Sequence, residues 1–113
     1  MVSIYKSNDK QFIVYRRNTK GEIITTKPQE MIFTVKPKLN TPQISIEKRI
    51  GAGIEQAEDG GWIISVESYD TQNMRVTEEK LVLVCDVKIV DEYGNNVTIV
   101  KPQDFVVLPV VTN

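Results

Sequence analysis

Apolar and polar positions alternate with a period of two over most of this chain. That period belongs to strands, whose successive side chains point to opposite faces. Met31, Phe33 and Val35 fall on one side of a segment, with Thr34 and Lys36 on the other. Ile44 and Ile46 alternate with Ser45 and Glu47, and Trp62, Ile64 and Val66 alternate with Ile63, Ser65 and Glu67. The longest such segment, residues 81–90, carries Leu81, Leu83, Cys85, Val87 and Ile89 on one face. Its other face, with Val82, Val84, Asp86, Lys88 and Val90, is half apolar. A half-apolar second face predicts a central strand covered near Val82 and Val84 by another surface. Helical periodicity is nearly absent. A single helical turn is expected at residues 70–74, where Asp70 or Thr71 can cap it by accepting backbone amide hydrogen bonds.

Turn residues punctuate the alternation. Asn18-Thr19-Lys20-Gly21 joins residues 12–17 to 22–27, and Tyr93-Gly94-Asn95-Asn96 joins 81–92 to 97–101. Gly-Asn is a favoured tight-hairpin pair. Asp59-Gly60-Gly61 precedes the Trp62 segment, and Gly51-Ala52-Gly53 reads as a bend after residues 44–50. Pro28, Pro37, Pro42 and Pro102 fall where strands end, so their missing amide donors cost little. Short strands at this spacing predict an all-β, antiparallel β-sandwich of about seven or eight strands. Its expected core holds Phe33, Val35, Ile46, Trp62, Ile64, Val66, Leu83, Cys85 and Val87. At 113 residues the chain is expected to form one domain, residues 1–113, able to hide roughly two-thirds of its unfolded surface without metals or disulfides.

Charge narrows the function. Fourteen basic residues against fifteen acidic ones leave a formal charge of −1. No broad attraction to nucleic acid or membrane follows from that balance. Arg16-Arg17, Lys36 with Lys38, and Lys48-Arg49 form weak basic clusters, read as solvated strand edges that discourage unwanted pairing. No histidine is present, which removes the commonest general base near neutral pH and the commonest transition-metal ligand. Cys85, the single cysteine, is expected to be a buried small hydrophobe. No phosphate loop or dinucleotide fingerprint occurs. The adjacent carboxylates Glu58–Asp59 and Glu78–Glu79 sit in turn-like segments, where solvation is the ordinary fate and catalysis needs a perturbed environment. Asp91-Glu92-Tyr93-Gly94-Asn95-Asn96 has the oxygen-rich look of a calcium loop but lacks EF-hand spacing and its closing glutamate. No enzyme activity, no metal and no cofactor are expected. The start of the chain lacks the apolar core of a signal peptide. The longest apolar run, residues 81–85, is far too short to span a bilayer. A soluble protein made in the cytoplasm is the expectation.

A set of landmarks in fixed order carries a resemblance. Ile-Ser-Ile-Glu-Lys-Arg-Ile at residues 44–50 is followed by Gly53-Ile54, then by Gly61-Trp62-Ile63-Ile64-Ser65-Val66. The step Tyr69-Asp70-Thr71 comes next, then the run 81–90, the turn Tyr93-Gly94-Asn95-Asn96 and the closing Phe105-Val106-Val107. This order resembles the small immunoglobulin-like β-sandwich domains of phage tail and baseplate proteins. The N-terminal domain of the baseplate upper protein family, from phages of Gram-positive bacteria, is the comparison. Met74 stands where those domains place an apolar plug. Thr77-Glu78-Glu79-Lys80-Leu81 departs from them in lacking a glycine, and Leu83 and Cys85 stand where aromatics are frequent.

The resemblance implies an immunoglobulin-like sandwich acting as a structural component of a phage or prophage tail or baseplate. Its partners would be other tail or baseplate proteins, or further copies of the chain, and its place the virion tail or baseplate. Ile13, Tyr15, Ile63, Val82 and Val84, apolar residues on the second faces of their strands, are the candidate interface. They compete with simple packing beneath loops. The alternative function is a ligand- or carbohydrate-binding β-sandwich, which would need Trp62 and Tyr69 as an exposed stacking platform. Alternation of Trp62 with Ile64 and Val66 favours its burial instead. Residues 106–111 are apolar and interrupted by Pro109, so the chain is expected to leave the sheet there.

Overall fold

Residues 2–77 and 79–110 are described by the structure, a computed structural model. Eight strands and one helical turn follow in the order β1 (Val2–Tyr5), β2 (Lys10–Val14), β3 (Glu30–Lys36), β4 (Ile46–Ile50), β5 (Gly53–Gln56), β6 (Trp62–Val66), α1 (Ser68–Thr71), β7 (Leu81–Val90) and β8 (Asn96–Leu108). They form one sheet in the order β1-β8-β7-β3-β4-β5-β6-β2. The fold is all-β and sandwich-like, because that sheet doubles over on itself. Strands β1, β8, β7, β3 and β4 make a first layer, and β5, β6 and β2 a second. The chain passes between layers through the bend after β4, where Ala52 N–H donates to Arg49 O and Gly51 N–H to Ile54 O.

Alternation decides what lies between the layers. Trp62, Ile64 and Val66 of β6 point inward and are buried, as are Phe33 and Val35 of β3, Ile46 of β4, and Leu83, Cys85 and Val87 of β7. All nine expected core residues therefore share one cluster, joined by Ile4, Met31, Ile54, Ile89, Phe105 and Val107. Each fully buried large apolar side chain contributes about 1.5–3 kcal/mol relative to exposure. Phe12 of β2 meets Phe33 edge-on at 5.2 Å between centroids, and Phe33 meets Phe105 at 6.2 Å. The first of these contacts ties the second layer to the first. Met74 and Val76 pack against the same core from the crossing after α1, so Met74 does plug that end of the sandwich.

Several expectations change in detail. The sheet is mixed, not purely antiparallel: β1 runs parallel to β8, and β4 briefly parallel to β5. The first parallel pair arises because the N-terminal residues add an edge strand, carried by the short alternation of Val2 and Ile4. The second arises because the bend after β4 moves the chain to the other layer without reversing it. Residues 97–101 and 105–107 are parts of the single long strand β8. A bulge opposite β7, between the pairs Cys85–Gln103 and Val87–Val100, absorbs Lys101 and Pro102, which is how a proline is tolerated inside it. Ile44 lies before β4 and is about half exposed. The helical turn comes earlier than expected, at Ser68–Thr71, since Asp70 Oδ2 reaches back to accept from Glu67 N–H at 2.7 Å. Both turns form, with Asn18 N–H donating to Glu22 O and Asp91 N–H to Asn95 O, but residues 22–27 make no strand, and a single bridge, Arg17 to Ile23, follows the first turn.

Candidate interaction surface

The five candidate interface residues divide between two opposite faces of the sandwich. On the second layer, Ile13 of β2 stands directly across from Ile63 of β6, and both point away from the core, out of phase with Phe12, Val14, Trp62 and Ile64. Tyr15 lies beside them. A Cβ added to Gly61 would come within 2.7 Å of the Tyr15 ring and 2.8 Å of the Ile13 side chain. Only glycine lets these two side chains lie flat across the start of β6. Tyr15 Oη donates to Asp59 Oδ2 at 2.6 Å, and Asp59 Oδ1 accepts from Gly61 N–H at 3.0 Å. The Arg17 guanidinium sits 5.7 Å above the Tyr15 ring centroid. The hydrogen bond to Asp59 pushes the Tyr15 phenol above its ordinary value, and the same bond holds the Asp59 carboxyl low. Ile13, 49% exposed, is the apolar centre of this face.

Val82 and Val84 lie on the outer face of the first layer. Val82 stands opposite Val106, and Val84 lies between Asp104 and Lys36. Val82 is 42% exposed. Val84 is half-buried and lines an open groove of about 360 Å³ with Thr34, Lys36, Leu39 and Thr41. The expectation of cover near these two valines is met only at Val84, because the loop after β3 folds over that end of the strand and stops short of Val82. The five residues thus form no single patch. Alternation alone marks both sets as outward-facing and says nothing about which layer each faces out from.

Two residues that sequence reasoning placed among solvated basic edges are buried. Arg16 donates to Thr26 O at 2.6 Å and to Glu92 Oε1 at 2.9 Å, clamping residues 16–26 to the β7–β8 hairpin. Lys48 pairs with Asp70 at 2.8 Å, with side chains 7% and 11% exposed, and its Nζ lies 5.2 Å from the Tyr69 ring centroid. Burial pulls the Lys48 ammonium down, but the hydrogen bond and charge of Asp70 outweigh it and leave the group above its ordinary value. Gly53 adjoins this lysine so closely that an added Cβ would overlap its side chain. A signal was present in the sequence. Lys48 is in phase with Ile46 and Ile50, and Arg16 with Phe12 and Val14, so each occupies an inward position. Their neighbours Arg17 and Arg49 are the exposed members of each pair.

The remaining candidates for chemistry are committed to structure or lie at the surface. Trp62 is 1% exposed, with its indole N–H finding no partner among the described residues, so it offers no platform for a sugar. Tyr69 is exposed but stands over Lys48. Burial pushes the Cys85 thiol up to about 11, which keeps it protonated at neutral pH. Asp91 accepts from Tyr93 N–H at 2.9 Å and Asn95 N–H at 2.8 Å, so its carboxylate closes the hairpin turn. Glu58 and Glu79 are exposed, and Glu78 lies outside the described residues. Among the described residues no group of three or more acidic, cysteine or histidine side chains is placed to hold a metal. No described helix is long and apolar enough to cross a membrane.

Fold and surface together define an all-β, sandwich-like domain with outward apolar residues on both layers. No protein-family model matches the chain, and no curated protein matches it. Among solved structures, CopC from Methylosinus trichosporium OB3b is similar over 77% of this chain and 70% of its own, at 13% identity and a TM-score of 0.40. A likeness that distant carries no argument about this chain's fold or function.

Proposed function

We propose that this chain is a structural module of a phage or prophage tail or baseplate, working by protein–protein contact with other tail or baseplate proteins or with its own copies. The observation that carries the reading is the outward cluster of Ile13, Tyr15 and Ile63 on the second layer. An exposed isoleucine beside a tyrosine held flat over a glycine is the kind of rigid, amphipathic surface that interface centres use. Tyr15 is already fixed by Asp59, so little side-chain freedom is lost on docking. The landmark order shared with baseplate sandwich domains supplies the choice of assembly. Made in the bacterial cytoplasm, the module would end in the virion tail.

The test is co-expression with the proteins encoded beside its gene, followed by light scattering on the purified material. A complex of defined mass is expected, burying about 1,000 Å² or more at each stable contact. Ile63→Lys should weaken it, because charge is depleted from interface centres, while thermal melting stays close to the parent. A chain that stays monomeric with every neighbouring gene product would overturn the assembly reading. A complex indifferent to Ile63→Lys and lost in Val82→Lys/Val84→Lys would move the contact to the first layer.

A further inference from the structure

The doubled-over sheet does not close. Strand β2 ends the second layer, and across from it the pairing of β8 with β1 begins, among the described residues, at Phe105. Between these edges runs a groove of about 370 Å³, lined on its apolar side by Val2, Phe12, Val14, Val87 and Val100. Phe33 and Cys85 form part of its floor.

Hydrogen-bond parity shows what the β2 edge presents to that groove. Ala57 N–H donates to Gly61 O, so Gly61 and Ile63 turn their backbone groups toward β5. Trp62, Ile64 and Val66 therefore turn theirs toward β2, where they pair with Val14, Phe12 and Lys10. The odd-numbered residues Gln11, Ile13 and Tyr15 are left pointing away from β6, into the seam. The hairpin that follows agrees: Arg16 O accepts from Ile24 N–H and Asn18 N–H donates to Glu22 O, so the even-numbered residues face inward throughout. Opposite them, the β8 bulge at Lys101 and Pro102 protects its own edge from pairing. The pairing edge of the seam is β2.

We infer that this seam takes an extended, acidic peptide strand from a protein partner, which pairs with Gln11, Ile13 and Tyr15 and lays alternate apolar side chains over Phe12, Val14 and Val100. Strand addition satisfies a row of outward N–H and C=O groups, and the pockets beneath give the side-chain preference. Charge complementarity sets the sign of the guest. Residues 10–17 hold Lys10, Arg16 and Arg17 and no acid. Arg16 is neutralised by Glu92, whereas Arg17, at the groove mouth, bonds the Gly21 carbonyl and covers the Tyr15 ring. Asp86 also lines the groove and has Lys88 at 3.9 Å. The inference rests on the assembly reading and names the form of one contact.

The experiment selects an mRNA-displayed library of random peptides, each about twelve residues long, long enough to cover the β2 edge, on the immobilised full chain. Enrichment of acidic peptides with apolar residues at alternate positions is expected. Ile13→Pro removes an amide that points into the seam and no bond of the β2–β6 ladder, so the fold should survive, as read by Trp62 fluorescence. Affinity for a selected peptide should fall about tenfold or more in this variant. Arg17→Glu, at an exposed position, provides an independent loss of similar size and a check should Ile13→Pro fail to fold. Tyr93→Ser, at an exposed position on the β7–β8 turn outside the seam, should leave peptide affinity unchanged. Selection of no alternating acidic peptides, or of peptides whose binding is unchanged in both seam variants, would overturn the inference. No tail protein takes part in the selection, so its failure is distinct from a failure of the co-expression measurement.

Discussion

Removing Asp70 should expose how much of this fold depends on one buried charge pair. In Asp70→Asn the Lys48 ammonium, 7% exposed in its side chain, loses its counter-charge while the strand still holds it in an inward position. Breaking a buried pair by removing one partner costs about 3–5 kcal/mol, because the survivor is left uncompensated. The Tyr69 ring at 5.2 Å offsets about 0.5–1 kcal/mol of that, so a loss of about 2–4 kcal/mol is expected. Lys48→Met should cost less, since it removes the buried cation and leaves Asp70 its bond to Glu67 N–H. The double variant Lys48→Met/Asp70→Asn should return to within about 1 kcal/mol of the parent, as hydrophobic replacement of buried pairs often does. Urea unfolding followed by Trp62 emission measures all three, with an unchanged slope licensing the comparison. The pair should also respond to pH. Lys48 has its folded value raised above 10.5, so its contribution is fully present below that value and is lost as pH rises through the folded one. If the two single effects simply add in the double variant within about 0.5 kcal/mol, the pair is uncoupled and the reasoning is refuted.

Other outcomes follow from the same structure. Leu83→Ala should cost about 2–5 kcal/mol in denaturant unfolding, and a change below about 0.5 kcal/mol would place Leu83 outside the core. Trp62 emission should resist quenching by acrylamide in the native state; ready quenching would contradict its burial and revive a sugar platform. Hydrogen bonds from the Asn95 N–H and from the Tyr15 phenol hold Asp91 and Asp59 below their ordinary value of 3.8. Their contribution is present above that value and is lost as pH falls through the lower folded ones. Asp91→Asn should flatten part of the acid limb of a melting-temperature profile, and an unaltered limb would remove Asp91 from that account.

The two hairpin turns and the membership of the core were legible in the chain before any tertiary contact was known. A period of two leaves Trp62, Ile64, Val66, Leu83, Cys85 and Val87 no face to share except an inner one. Turn chemistry is equally local, since Asn18 and Asp91 each bond backbone groups within four residues. Alternation gives each residue a side and leaves strand neighbours unassigned. Which strands meet depends on contacts far apart in sequence, such as Val2 with Phe105 and Lys10 with Val66. For that reason only the tertiary structure separates Ile13, Tyr15 and Ile63 from Val82 and Val84. It alone opens the seam beside β2. It also supplies the partners of the inward Lys48 and Arg16, because Asp70 and Glu92, distant in sequence, arrive to pair with them. Local pattern decides what each residue prefers to face, while long-range pairing decides what it actually faces.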